Sequence, residues 1–226
     1  MENVPEEISS AITESITEQT SSQNLYKEIP ANSATAWGLS TELADKKNMQ
    51  EYEGTDDDDK MNGEGNKFSK KGCKMASTAK MISDALGIDV SLIDINSYDS
   101  NNDGCMSEEE IASAFRSYLS ANDSEAELKT DYWKDKLSKE KLNEIVAKEE
   151  GTTYVLGQAK DVFGGDHWVV LTGYRLNDNG QIQFNYSGSS VNDAKQHRNY
   201  ILGNKMKGQD NFYTITKIET YTLIKH

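Results

Sequence analysis

The sequence predicts an α+β fold, in which a helical N-terminal half packs on an antiparallel β-sheet. Between residues 73 and 149, apolar residues recur every three or four positions, which is the spacing of one helix face. From Gly151 onward the chain is instead rich in β-branched and aromatic residues, as strands are. Helices therefore come first along the chain, and the strands of the sheet follow them.

Composition and charge exclude several classes of protein. The 226 residues are 35% hydrophobic and 27% charged, which allows one full domain with a very polar surface. The net charge of −14 argues against nucleic acids as partners and against anionic membranes. No run of 18 apolar residues could span a bilayer, and the acidic start lacks the apolar segment of a secretory signal. Two cysteines do not make a disulfide scaffold.

The first part of the chain differs from the rest. Residues 1–45 are rich in Ser, Thr and Glu, which predicts a flexible polar arm left from a longer protein. A thin amphipathic helix through Ile8, Ile12 and Ile16 is the alternative. Residues 46–226 then form the domain. The acidic run at 56–60 matches a sequence used to cleave affinity tags, but no tag precedes it, so we interpret it as a solvated loop.

The first helix of the domain is predicted to begin at Cys73. Its apolar face consists of Met75, Ala79, Ile82 and Leu86. Gly72 permits a sharp turn before this helix, and Gly87 takes the usual position after its end. Cys73 would then lie at a helix N-terminus, where the dipole and free N–H groups favour a thiolate.

Four more helical segments are predicted before the sheet. The first is a short helix at 90–96. The second follows Ser107, which has the spacing of a capping box with Glu110, and runs to about residue 121. The other two are predicted at about 124–137 and 138–149.

Four strands are predicted after Gly151. The sequence Asn-Asp-Asn-Gly at 177–180 is typical of a hairpin turn between the second and third of them. The second strand is almost continuously apolar, so it should be central and buried. The predicted ranges are 152–159, 167–175, 181–186 and 212–224.

One cysteine and one histidine could form a nucleophilic pair. His167 opens the most buried strand, and Cys73 opens the first helix. A thiolate with a neighbouring imidazole is the arrangement of nucleophilic catalysis, in which a third polar group orients the ring. Asn185, on the strand after the hairpin, suits that role by residue type. The alternatives are a small buried core cysteine and a structural histidine.

A second candidate site is the loop at 99–110, which matches the ligand pattern of an EF-hand calcium loop. Gly104 would make the sharp turn at position 6. Met106 replaces the branched aliphatic residue usual at position 8. A polar loop that binds nothing is the alternative. We expect Ca²⁺ to fasten an insertion between helices, with ligands from Asp99, Asn101, Asp103, the backbone of Cys105, Ser107 and Glu110.

Two motifs carry a resemblance to a known family. Gly-Cys-Lys-Met-Ala-Ser at 72–77, followed by a helix, and Gly-Asp-His-Trp-Val-Val-Leu-Thr-Gly-Tyr at 165–174 resemble the C39-like branch of papain-like cysteine peptidases. The resemblance covers about residues 48–190. It implies a papain-like fold with Cys73 as nucleophile and His167 as base. The family also stabilises the oxyanion with an upstream Gln, for which Gln50 is the candidate.

The resemblance also implies a setting. Such domains occur as bacteriocin-leader peptidases, as phage-associated hydrolases and as toxin modules of bacterial Rhs-type or contact-dependent inhibition proteins. No ATP-binding cassette or membrane segment accompanies this domain, so a leader-processing exporter is not expected. We expect a bacterial effector with a protein or peptide substrate and an immunity or inhibitor protein as partner. It would act in the bacterial cytoplasm or be delivered or secreted as part of a larger protein.

The sequence departs from the family at the third catalytic position. Tyr186 stands where the family commonly has Asp, so either Asn185 substitutes or the domain is inactive. A hydrolase of peptidoglycan peptides or an acyl transferase would use the same acyl-enzyme. A catalytically inactive, calcium-dependent binding module is the alternative from another class.

Overall fold

The computed structural model describes residues 61–134, 137–146, 151–160, 166–189 and 198–225. The predicted arm at 1–45, the acidic run at 56–60 and Gln50 lie outside the described residues.

Five helices lie within the described part of the chain. Two of them confirm the prediction closely: α2 begins at Cys73 and is closed by Gly87 in a left-handed conformation, with φ of 67°. α4 begins after Ser107, whose side chain forms the predicted capping box with Glu110. The helices are α1 (Phe68–Lys71), α2 (Cys73–Leu86), α3 (Leu92–Asn96), α4 (Glu108–Ala121) and α5 (Lys139–Val146).

Within the described ranges, six strands form one sheet in the order β1-β6-β2-β3-β4-β5. The predicted hairpin joins β3 to β4, with the Gly180 N–H donating to the Asn177 carbonyl at 2.9 Å. β5 pairs with β4 and also, in parallel, with the start of β6, so the sheet curls back on itself. The strands are β1 (Glu127–Lys134), β2 (Thr152–Lys160), β3 (Asp166–Leu176), β4 (Ile182–Ser187), β5 (Asn199–Ile201) and β6 (Phe212–Ile224).

Two details of the sequence prediction are wrong. The segment predicted as a helix at 124–137 contains β1, which pairs antiparallel with β6 along all eight of its residues. Backbone pairing with a distant strand has overridden the local helical pattern. The short strand β5 was not predicted, and its parallel pairing makes the sheet mixed rather than purely antiparallel. The α+β class itself is confirmed.

The two faces of the sheet bury different sets of side chains. The helix-side core packs α2, α3 and α4 on the sheet and includes Trp168 and Val170 of β3. The far-side core includes Val169 and Leu171 of the same strand, together with apolar residues of α5. Alternate residues of a strand point to opposite faces, so this division assigns a face to each residue of β3 before its irregularity at 171–173. None of the described helices is both long and apolar enough to cross a membrane.

Candidate functional site

A cavity of about 390 Å³ lies beside Cys73, between the start of α2 and the helix side of the sheet. Four neighbouring strands form its floor, because Gln158 of β2 lies opposite Trp168 of β3 and opposite Lys217 of β6, and Tyr132 of β1 lines it beside them. Cys73, which is 7% exposed, lies on the opposite wall. The wall also contains Lys70, Lys71, Lys74, Asp103, Gly104, Cys105 and Glu108.

The start of α2 differs from the prediction in one respect. α1 ends directly before it, and the Gly72 N–H donates to the Phe68 carbonyl at 2.8 Å. The amides of Lys70 and Lys71 likewise bond back to the Lys67 carbonyl. These three amide N–H groups, which precede Cys73, are therefore used by α1, because the two helices follow each other with only Gly72 between them. A Cβ at Gly72 would lie 2.7 Å from the Phe68 carbonyl oxygen, so this close approach requires glycine.

A buried ion pair forms one end of the cavity. Lys74 Nζ lies 2.7 Å from Glu219 Oε1, and the two residues are 4% and 1% exposed. The Tyr221 hydroxyl donates to Glu219 Oε2 at 2.9 Å, and the Lys74 ammonium lies 4.0 Å from the centre of the Trp168 ring. Burial raises the pKa of Glu219, although Lys74 opposes that rise. Sequence reasoning missed this pair, although a carboxylate within the apolar end of β6 was a signal.

The structure does not bring His167 to Cys73. His167 lies opposite Ala159, which belongs to the far-side core, and it alternates with Trp168, which faces the helix side. The alternation places His167 on the face of Val169, away from α2. The described residues that line the cavity include Asp166 and Trp168 but not His167. The predicted pair is therefore not assembled here, because α2 and His167 lie on opposite faces of the sheet.

Asn185 is not placed to orient His167 either. Its neighbours Phe184 and Tyr186 belong to the far side, and the next residue but one, Ser187, accepts a hydrogen bond from Lys80 of α2 at 3.1 Å. Asn185 therefore faces the helix side, opposite to His167. Its buried Nδ2 has no hydrogen-bond partner within the described residues. The Tyr186 hydroxyl donates to the carbonyl of Arg198 at 2.9 Å.

The loop at 99–110 has an ordered set of turns between α3 and α4. The Gly104 N–H donates to Asp99 Oδ2 at 2.9 Å, and the Asp103 N–H donates to Asn101 Oδ1 at 2.9 Å. The Cys105 N–H donates to Asp103 Oδ1 at 2.7 Å. Gly104 has a φ of 77°, which supports its predicted role at the sharp turn. Each predicted side-chain ligand of the first half of the loop thus accepts a backbone N–H of the same loop.

One oxygen of Asp99 indicates that the loop suits a cation. Asp99 is 1% exposed, and its Oδ1 has no hydrogen-bond partner in the described structure. Burial raises the pKa of Asp99, and the charges of Asp103 and Glu110 raise it further. A buried carboxylate oxygen without a donor, close to two other carboxylates, fits a hard divalent cation.

The second half of the loop is arranged differently. Glu110 Oε1 accepts from the N–H and hydroxyl of Ser100, and Oε2 accepts from those of Ser107. Although burial acts in the opposite direction, these hydrogen bonds lower the pKa of Glu110 to about 2. Glu110 therefore caps α4 here, and across the described residues no three His, Cys, Asp or Glu side chains converge as a metal cluster.

The loop is anchored to the segment that leads into α2. The Asn66 side chain donates to the carbonyls of Asn62 and Asn102, at 2.7 and 3.4 Å. Lys71 Nζ lies 3.3 Å from the Asp103 carbonyl oxygen. Met106, at position 8 of the loop, is buried in the helix-side core. The candidate calcium loop and the candidate thiol site therefore share a wall.

The chain matches no protein-family model, no curated protein and no solved structure.

Proposed function

We propose that this chain is a papain-like cysteine peptidase, which hydrolyses an amide bond of a protein or peptide with Cys73 as nucleophile. The observation that carries the proposal is the position of Cys73, which opens α2 and borders a cavity between that helix and the sheet. α2 packs directly on β3, where the Ser77 hydroxyl donates to the Trp168 carbonyl at 3.3 Å. A nucleophile helix against a sheet is also what the resemblance to C39-like peptidases implies.

The reaction would proceed through a thioester. The Cys73 thiolate adds to the carbonyl carbon of the substrate, the C–N bond breaks, and the amine leaves with a proton. Water then hydrolyses the thioester and returns the thiol. His167 is the base that the resemblance implies, and in this role its ring would have to reach the helix side of β3. Asp166, the preceding residue, already lines the cavity and is the competing proton acceptor.

Alkylation of Cys73 across pH tests this proposal. We expect iodoacetamide to modify Cys73 about tenfold faster at pH 6.5 than it modifies a free thiol, as the proposed nucleophile requires. As the base of this proposal, His167 must reach the helix side of β3, away from the face on which the structure places it. On that condition His167→Ala abolishes the difference and Asp166→Asn preserves it. Mass spectrometry separates modification of Cys73 from that of Cys105.

The two variants make a matched comparison, since they are neighbours on opposite faces of β3. Loss of reactivity in Asp166→Asn alone would assign the proton acceptor to the cavity side and contradict the role of His167. Ordinary thiol reactivity in all three proteins would contradict the peptidase proposal itself.

The biological setting of the proposal is a bacterial effector or toxin module with an immunity protein as partner. It rests on the resemblance. Hydrolysis of peptidoglycan peptides would use the same acyl-enzyme, and binding to purified peptidoglycan separates the two substrates.

A second proposed activity is calcium binding by the loop at 99–110, which the unpartnered Asp99 Oδ1 favours. Asp99, Asn101 and Asp103 would hold the ion with the Cys105 carbonyl. Ser107 and Glu110 would complete the oxygen ligands after Glu110 releases the hydrogen bonds that it accepts from Ser100 and Ser107 here. The ion would neutralise three carboxylates that otherwise repel one another. Its role would be to stabilise the wall that the loop shares with the Cys73 cavity.

Thermal unfolding with calcium or with EGTA tests this activity. Calcium at a hundred times its dissociation constant is expected to stabilise the protein by about 2.7 kcal/mol, because it binds only the folded chain. Asp99→Asn should abolish this gain, and Asp123→Asn, which makes the same charge change just after α4, should keep it. Equal melting temperatures of the wild-type protein in calcium and EGTA would contradict the proposal.

A further inference from the structure

We infer that the Gln158 side chain binds an amide N–H of the substrate in the cavity beside Cys73. The inference rests on the proposed function, since it takes this cavity as the place where the substrate binds. It adds a specificity-determining residue on β2 and a ligand class, namely neutral amides.

Gln158 is a buried polar side chain that the fold leaves unsatisfied. It is 3% exposed and lines the cavity, and its Oε1 has no hydrogen-bond partner within the described residues. Its backbone, in contrast, is part of the sheet, and its carbonyl also accepts from the Thr216 hydroxyl at 3.2 Å. An unsatisfied buried acceptor costs about 1–3 kcal/mol, so a ligand that donates to it would recover much of this free energy.

The polar groups next to Gln158 already bind one another. Lys74 binds Glu219, and the Tyr221 hydroxyl donates to the second oxygen of the same carboxylate. Lys74 also covers the ring of Trp168, which lies directly opposite Gln158 in the sheet. Lys74 and both carboxylate oxygens of Glu219 therefore have partners within the protein. Gln158 Oε1 is the acceptor left without a donor here; it has almost no accessible surface, and rotation of the carboxamide would bring it to the cavity that Gln158 lines.

The charges around the cavity favour a neutral donor. Among the described residues that line it, four are cations and four are anions, so these residues carry no net charge that would select an ammonium or a carboxylate. The cross-strand neighbour of Gln158 is Lys217, which further disfavours a cationic donor at that point. A carboxamide also complements an amide, because one atom accepts an N–H and the other donates to a C=O. Turning the carboxamide over exchanges these two atoms but keeps this complementarity.

Two alkylating reagents that differ in their N–H groups test the inference. The Cys73 thiolate displaces iodide from 2-iodoacetamide or N,N-dimethyl-2-iodoacetamide, so that one S–C bond forms as one C–I bond breaks. Only the first reagent can donate to Gln158. For each thiol we take the ratio of its alkylation rate with 2-iodoacetamide to its rate with the dimethyl reagent. We expect this ratio to be about two- to tenfold higher for Cys73 than for glutathione, because one net hydrogen bond provides that much. Gln158→Met should reduce this ratio to the glutathione value.

A stability measurement separates substrate binding from a structural role. Gln158→Met keeps the volume and removes the unsatisfied atom, so we expect its resistance to urea to be unchanged or higher. Gln209→Met is the matched control, because Gln209 is also buried but accepts from the Met206 N–H at 2.7 Å and donates to Gln181 at 2.6 Å. Gln209→Met should be less resistant to urea than the wild type, and it should keep the wild-type ratio of the two alkylation rates at Cys73.

The ratio and the absolute rate answer different questions. A wild-type ratio equal to that of glutathione, or a ratio that Gln158→Met leaves unchanged, overturns the inference even where Cys73 reacts fast at low pH. Ordinary thiol reactivity toward 2-iodoacetamide contradicts the proposed function, and the ratio remains measurable in that case.

Discussion

Replacing Lys74 by Met is expected to lower the free energy of unfolding by about 3–5 kcal/mol, because Glu219 then stays buried without its counter-charge. The two side chains are 2.7 Å apart, and each is almost fully buried, so solvent screens their interaction little. The double variant Lys74→Met, Glu219→Gln should recover most of the loss. Urea unfolding of the wild type, both single variants and the double variant gives the coupling free energy directly.

The same variant should show a distinctive pH dependence. Burial raises the pKa of Glu219 above its ordinary value of 4.5, and removal of Lys74 raises it further. A carboxylic acid whose pKa is raised by folding stabilises the protein below its unfolded pKa and loses this contribution as the pH rises through its folded pKa. The loss of unfolding free energy in Lys74→Met, relative to the wild type, should therefore become smaller as the pH falls from neutral toward about 4.5. An equal deficit at pH 5 and pH 8, or one below about 1 kcal/mol, would contradict the prediction.

Replacing Gly63 by Ala is expected to destabilise the domain by about 2–5 kcal/mol. Gly63 has a φ of +85°, and a Cβ there would lie 2.1 Å from the backbone oxygen of Asn102, within the candidate calcium loop. The left-handed backbone costs about 1–2 kcal/mol for a residue with a side chain, and an enforced clash adds about 1–3 kcal/mol. Because the clash is with backbone, the loop must shift, and we also expect weaker calcium binding by calorimetry.

Gly65→Ala is the matched control for this prediction. Gly65 has a φ of +74°, but no atom lies within 4 Å of the position of a Cβ. This variant should lose only the backbone contribution of about 1–2 kcal/mol and keep the calcium affinity of the wild type. Equal urea midpoints for Gly63→Ala and Gly65→Ala would show that the loop does not rest against Gly63 in solution.

Local signals in the sequence predicted much of the helical half. The apolar spacing from Met75 and the closing Gly87 fixed the limits of α2, and Ser107 with Glu110 fixed the start of α4. Such signals act within one or two turns of chain, so a single sequence contains them. The turns at Asp99, Asn101 and Asp103 are local in the same way, and the structure shows them.

The features that the sequence could not predict depend on distant pairing. β1 is a strand because it pairs with β6, and no residue near 127–134 indicates that distant partner. Lys74 and Glu219 are 145 residues apart, so their ion pair could not be predicted from the spacing of residues along the sequence. The face of His167 depends on strand register, and a shift of one residue would exchange it with Trp168. Residue type therefore suggested the catalytic pair, but type alone could not determine the face.

The many partners of β6 have a consequence for how the domain is made. This strand pairs with β1, β2 and β5, and its contacts with β1 join residues about 90 positions apart. A chain emerging from the ribosome cannot complete the sheet until residues 212–224 have left the exit tunnel. Until then β1 and β2 lack the strand between them and Phe115 of α4 lacks Tyr221, on which it stacks, so the nascent chain should be slow to fold and should depend on chaperones.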